Sequence, residues 1–279
     1  MLRFCLPIIV IVFLIVPPVT AQDDSPTCLS DSDTVWIDTY TSDVLGRDES
    51  YTLYLPPDWC HQTDLPLLVL LHGAGGDHTS WIEGGQVDQV AEDLIRTGEI
   101  EPLIILMPDG ENGSYMQGPH GDYETYIVSE LIDRVDAAFP TAATRAQRFI
   151  GGFSMGGFGA LYLGLRHPDR FSAIGGHSPA IPRQQDMTFL EESLSGEMPE
   201  APAEHDPVSQ IARDGWPKDV RLFIDVGDQD VLIRGSLTRL NAELIRQRVT
   251  YESHIWPGAH DWEYWRAHIP DYLRFYVGS

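Results

Sequence analysis

An α/β fold, with a mostly parallel central sheet and helices on both of its faces, is what this 279-residue sequence predicts. Three observations lead there. Short β-branched or apolar runs alternate with segments of helical periodicity, the rhythm of strand–helix–strand units. Two of those runs, LPLLVLLH (65–72) and PLIILMP (102–108), are almost continuously apolar, as strands covered on both faces must be. No internal repeat, low-complexity tract or long linker interrupts the pattern, so a single catalytic-sized domain over 34–279 is the economical reading.

Taken in order, the chain opens MLRFCLPIIVIVFLIVPPVTAQ. One positive residue, Arg3, precedes an apolar run, and Val19-Thr20-Ala21 has the small-residue form of a cleavage site. The run is shorter than the roughly 20 residues that span a bilayer and Pro17-Pro18 interrupts it. Residues 1–21 therefore read as a signal peptide, and the protein is expected to be secreted, extracellular or periplasmic, with no stable membrane insertion after cleavage. Polar residues 22–33 form a leader. Residues 34–41 and 50–55 alternate apolar and polar, as half-buried antiparallel strands do. After the two central runs, RFIGGF (148–153), FSAIGGH (171–177), VRLFIDVG (220–227) and YESHIWPG (251–258) continue the strand series. Helices are expected at 87–98, ending on Gly98 as a C-cap, at 124–139, stopping at Pro140, and at 237–248. Residues 182–218, rich in Pro, Glu and Asp, break the rhythm and read as a cap or solvated loop beside the site.

Composition excludes some partners. With 18 basic against 42 acidic residues the formal charge is −24, and Lys218 is the single lysine. Such a surface repels nucleic acid, anionic membranes and polyanionic substrates. Cleavage after Ala21 would remove Cys5, leaving Cys28 and Cys60, which in an exported chain favours a disulfide between them. The ten histidines show no metal-ligand spacing such as H-E-x-x-H, so neither metal nor cofactor is expected.

The chemistry is concentrated at Gly152-Phe153-Ser154-Met155-Gly156-Gly157. G-x-S-x-G alone is a weak signal, but here it directly follows the strand RFIGG and precedes the helical run FGALYLGLRH. Strand, sharp turn and helix is the setting of a nucleophile elbow, with glycines where side chains would collide. A serine hydroxyl needs a base within hydrogen-bond reach, and the base needs a carboxylate to hold its tautomer. In α/β-hydrolases the chain order is serine, acid, histidine. Asp228 and Asp230, in the turn after VRLFIDVG, both qualify as the acid, whereas Asp225 belongs to the strand. His260, after Pro257-Gly258-Ala259 at the end of the last strand, qualifies as the base. The oxyanion of an acyl-transfer intermediate needs two N–H donors. Met155, following the serine, supplies one, and Ala74 in the glycine-rich loop of LLHGAGG supplies the other. Trp81, Tyr115, Trp262 and Trp265 fall in or beside loops at the C-terminal ends of the strands; core packing is the better reading for any one of them, and Trp81, Tyr115 and Trp262 are carried as candidate substrate contacts.

Eight ordered segments together resemble the esterase D-like branch of the α/β-hydrolases. They are YTLYLPPDW (51–59), LLHGAGGDHTSW (71–82), MPDG (107–110), YETYIVSELIDRVDAAFPT (123–141), GGFSMGGFGAL (151–161), HPDRF (167–171), DVGDQD (225–230) and GAHDWEYW (258–265). That branch includes feruloyl and acetylxylan esterases, S-formylglutathione hydrolases and mycolyltransferases. The resemblance implies that Asp230, three residues after the strand-end glycine, is the acid, and it puts the oxyanion donors at Ala74 and Met155. It implies hydrolysis of a small-molecule or carbohydrate ester through an acyl-serine. Acyl transfer to an alcohol, and a silent binding role on the same scaffold, are its rivals.

Overall fold

The computed structural model describes residues 34–111, 113–118, 121–181 and 205–278. The expected signal peptide (1–21), the expected leader (22–33) and most of the 182–218 stretch lie outside these residues. Cys60 is disulfide-bonded. Its expected partner Cys28 likewise lies outside.

Eight strands form one sheet. The first two, β1 (Val35–Ser42) and β2 (Arg47–Tyr54), make an antiparallel hairpin whose second strand runs antiparallel to β4 (Ile104–Pro108). From β4 the sheet is wholly parallel, through β3 (Leu67–Leu71), β7 (Arg148–Phe153), β8 (Ala173–His177), β9 (Arg221–Gly227) and β10 (Glu252–Trp256). A small hairpin, β5 (Gln117–Gly118) with β6 (Gly121–Asp122), stands apart. The α/β class with a mostly parallel sheet is as the sequence indicates.

Strand alternation divides the interior into two cores. In β3, Leu67, Val69 and Leu71 join one apolar cluster while Leu68 and Leu70 join the other. Every position is buried, which is why the run carries no polar residue. On one face lie α2 (Val87–Thr97) and the C-terminal α8 (Trp262–Val277). The α2 helix buries Val87, Ala91 and Leu94, a single stripe at helical spacing, and ends on Gly98 in the left-handed conformation that a C-cap requires. The other face carries α4 (Ile132–Ala138), α5 (Met155–Arg166), α6 (Pro207–Asp214) and α7 (Arg234–Arg246). The described residues also form short α1 (Ser80–Glu83) and α3 (Tyr123–Thr125), and α3 continues through a π-helical stretch (Tyr126–Leu131) into α4.

The segment 207–214, part of the stretch expected to be a cap or a solvated loop, is helical. Asp206 caps α6, accepting N–H bonds from Val208 and Ser209, and Pro207 occupies the first turn where no N–H is needed. Val208 and Ile211 are buried, and Arg239 of α7 donates to both Asp206 oxygens at 2.7 and 3.1 Å. This part of the excursion is packed structure.

Glu124 braces α5 from its C-terminal end. Its carboxylate accepts from Tyr162 at 2.7 Å and from Arg166 and His167 at 2.8 Å. Burial alone would raise this carboxyl, but the three donors outweigh burial and hold it down at about 2. A depressed carboxylate contributes stability above the unfolded-chain pKa and loses it as pH falls through the folded value. The urea midpoint is therefore expected to fall between about pH 4.5 and pH 2, and Glu124→Gln should be less stable at pH 7 with part of that acid slope removed. An identical slope in both proteins would exclude this brace as its source.

Candidate active site

Ser154 sits between the end of β7 and the first residue of α5 with φ 54° and ψ −118°. A non-glycine residue in that region is strained by about 1–3 kcal/mol and persists only where its surroundings over-determine it. They do so here: its N–H donates to the His177 carbonyl at 2.9 Å, and its own carbonyl accepts from Ala180 at 2.9 Å. The flanking glycines have no alternative. A Cβ on Gly152 would stand 2.4 Å from the Gly156 carbonyl oxygen, and one on Gly156 would stand 2.2 Å from that of Leu71.

The structure brings the three separated residues together. Ser154 Oγ is 2.9 Å from His260 Nε2, and His260 Nδ1 is 2.7 Å from Asp230 Oδ2. Asp230 is buried and its second oxygen accepts from the Ile233 N–H at 3.1 Å, so the carboxylate has one orientation. An acceptor at Nδ1 places the imidazole proton there, which leaves the Nε2 lone pair facing the serine hydroxyl. His260 is held by the start of α8, where the next residue, Asp261, caps the helix by accepting from the Tyr264 N–H at 3.0 Å. Asp228, the other candidate acid, accepts instead from the Gly258 N–H at 3.1 Å and so shapes the histidine loop.

Beside Ser154 lies a cavity of about 290 Å³ bounded by the Gly73–Gly76 loop, Ser80, Phe153, His260, Trp262 and Trp265. Ala74 is in that loop, and Met155 is the first residue of α5, whose N–H has no intrahelical acceptor. His72 fixes the loop from behind. Its Nε2 accepts from the Gly110 N–H at 3.0 Å, which leaves Nδ1 to donate to the Gly73 carbonyl at 2.8 Å.

Of the three candidate substrate contacts, only Trp262 borders the cavity. Trp81 is a core residue: it is 1% exposed, donates to the Leu71 carbonyl at 3.1 Å, and packs edge-on to Phe153 and Trp262. Tyr115 is fully buried and donates to the His72 carbonyl at 2.9 Å, supporting the glycine loop from beneath. Both are corrections with one cause, since an aromatic ring in a loop gains more by burial than by waiting for a ligand. Phe153 and Ser80 line the cavity without having been singled out. Phe153 was legible as the residue before the serine, whose side chain must lie on the face opposite the elbow helix.

Fold and site define an α/β-hydrolase of the serine-hydrolase kind. Residues 42–276 match the Esterase family model, and the chain belongs to that family. It is a carboxylic ester hydrolase. An acetyl esterase of Caldicellulosiruptor saccharolyticus is 24% identical over 82% of this chain and 93% of its own length. An endo-1,4-beta-xylanase/feruloyl esterase of Xylanibacter ruminicola is 31% identical over 49% of this chain, and the match spans 20% of that much longer protein. A ferulic acid esterase of known structure superposes with a TM-score of 0.78 at 28% identity, over 87% of this chain and 96% of the other.

Proposed function

We propose that the protein is an exported serine esterase acting on small or sugar-linked carboxylic esters of the feruloyl or acetyl type. The observation that carries this is the unbroken Ser154–His260–Asp230 hydrogen-bond chain opening on the cavity. Ser154 attacks the ester carbonyl while His260 takes its proton, and the tetrahedral oxyanion is held by the Ala74 and Met155 N–H groups. His260 then returns the proton to the departing alcohol. A water, activated by the same imidazole, attacks the acyl-serine and releases the acid. Asp230 keeps the imidazole tautomer and stabilises its imidazolium form.

An aromatic wall of Phe153, Trp262 and Trp265 is complementary to a planar acyl group, and the likeness to feruloyl and acetyl esterases supports the same substrate range. Export rests on the N-terminal segment, and N-terminal sequencing of protein recovered outside the cell should begin after Ala21. The test is purified protein assayed on p-nitrophenyl acetate, p-nitrophenyl butyrate and methyl ferulate beside Ser154→Ala. Hydrolysis confined to the wild type supports the reading, and activity persisting in the variant refutes the site. Ester products formed with an added acceptor alcohol, at the expense of free acid, would reassign the reaction to acyl transfer.

A further inference from the structure

A second buried histidine–carboxylate pair lies one sheet level beneath the nucleophile. Phe153, His177 and Asp225 are register partners across β7, β8 and β9, so their side chains share the α8 face of the sheet. His177 and Asp225 are wholly buried, with Nδ1 2.8 Å from Asp225 Oδ1. The other carboxylate oxygen accepts from two hydroxyls of α8, Tyr264 at 2.7 Å and Tyr272 at 3.0 Å. Tyr272 also stacks on the His177 ring, with centroids 3.5 Å apart.

A lone carboxylate in an apolar core is strongly unfavourable unless every lone pair finds a donor. Here three donors converge on one group. Burial first, and then the adjacent Asp225 charge, push both tyrosine hydroxyls well above the ordinary range, so they stay protonated and keep donating. The partners reach both halves of the catalytic pair. The His177 carbonyl accepts the N–H of strained Ser154, and the Ser178 N–H donates to the Asp225 carbonyl at 2.9 Å. On the other side, Tyr264 stands four residues after His260, in the first turn of α8, which directly follows the histidine loop. Asp225 thus joins the backbone holding the nucleophile to the helix that follows the base.

We propose that Asp225, with His177, Tyr264 and Tyr272, is a positioning cluster that sets the Ser154–His260 alignment. The proposal rests on the esterase reading above. In Asp225→Asn the charge is lost and one acceptor oxygen becomes an N–H₂ donor, so either the imidazole must switch tautomer or the two hydroxyls must turn to accept, and the charge-assisted bonds that seat α8 are weakened. The cavity walls and oxyanion donors keep their chemistry, so the effect should fall on turnover and spare binding.

The experiment compares Asp225→Asn, Tyr264→Phe and Tyr272→Phe with wild type, the phenylalanine variants keeping the ring packing if the asparagine protein folds poorly. Steady-state kinetics on p-nitrophenyl acetate are read per folded molecule, and the low-field imidazole N–H resonance of His260 is followed by NMR. The expected result is a kcat lower by about 10- to 100-fold in Asp225→Asn and by several-fold in each phenylalanine variant, on the scale of a misplacement remote from the chemistry. KM should change by less than about twofold, and the His260 resonance should shift or broaden. Folded variants with wild-type kcat and an unmoved resonance would make the cluster packing only and overturn the proposal. Were wild type itself inactive on every ester, the esterase reading would fall, while the resonance would still report whether Asp225 governs His260.

Discussion

Ser154→Ala is expected to lower kcat by about 10⁴- to 10⁶-fold, with KM nearly unchanged. The reason lies in how the three residues act. The serine proton leaves only because Nε2 stands 2.9 Å away with its lone pair free, and that lone pair is free only because Asp230 holds the proton on Nδ1. Removing one member idles the others. His260→Ala should therefore cost about as much as Ser154→Ala, and the double variant no more than either. Asp230→Asn leaves the shape but invites the opposite tautomer, and a loss of about 10⁴ is expected. None of these changes alters the aromatic wall, so binding should persist. Measurement of kcat and KM for the three single variants and the double on p-nitrophenyl acetate checks this. Multiplying losses in the double variant would show that serine and histidine act independently.

Gly156→Ala should be nearly as harmful although it removes no chemical group. Its Cβ would stand 2.2 Å from the Leu71 carbonyl oxygen and 2.6 Å from that of His72. Both are backbone atoms, at the end of β3 and the start of the glycine-rich loop, and neither can swing aside as a flexible side chain could. Relief requires α5 to lift from the sheet, displacing the Met155 N–H, the proposed oxyanion donor. Loss of one such donor is worth about 10²–10³ in kcat, and overpacking costs about 1–3 kcal/mol. A domain of this size loses roughly 2–4 °C of Tm per kcal/mol. Gly235→Ala is the control, because a Cβ there meets nothing within 4 Å, and helix propensity favours the change by up to about 1 kcal/mol. Thermal melts and kinetics of the pair distinguish steric collision from a general intolerance of alanine. A Gly156→Ala protein that melts and turns over like wild type would refute the argument.

How far the sequence carried depended on whether a feature was periodic. RFIGGF reads as a strand over 148–153, the span observed, because a polar first residue and the elbow serine bracket an apolar run. The α2 helix is similarly legible from Val87 to its terminal glycine. The π-helical stretch within 126–131 leaves the apolar periodicity intact, so nothing in the residues announces it. The α6 helix was obscured by its acidic, proline-rich surroundings, although Asp206-Pro207 is a start signal and Val208 and Ile211 have helical spacing. Loops have no period, and that is where reading by position failed: Trp81 and Tyr115 are close to the site along the chain yet turn into the core. Asp228 and Asp230 are two residues apart in one turn, and the path of that turn decides which of them reaches the histidine.

The order of the strands bears on how the site comes into being. Ser154 and His260 are 106 residues apart, and the bond between them exists only when β7, β8, β9 and β10 lie side by side in register and α8 has docked. Contacts of such long sequence separation are closed late, after the local elements that precede them. A slip of one residue in any of the four strands would turn its buried side chains to the wrong face. Enzymatic competence is therefore expected to be the last property a refolding chain acquires, after the elbow and its helix have formed.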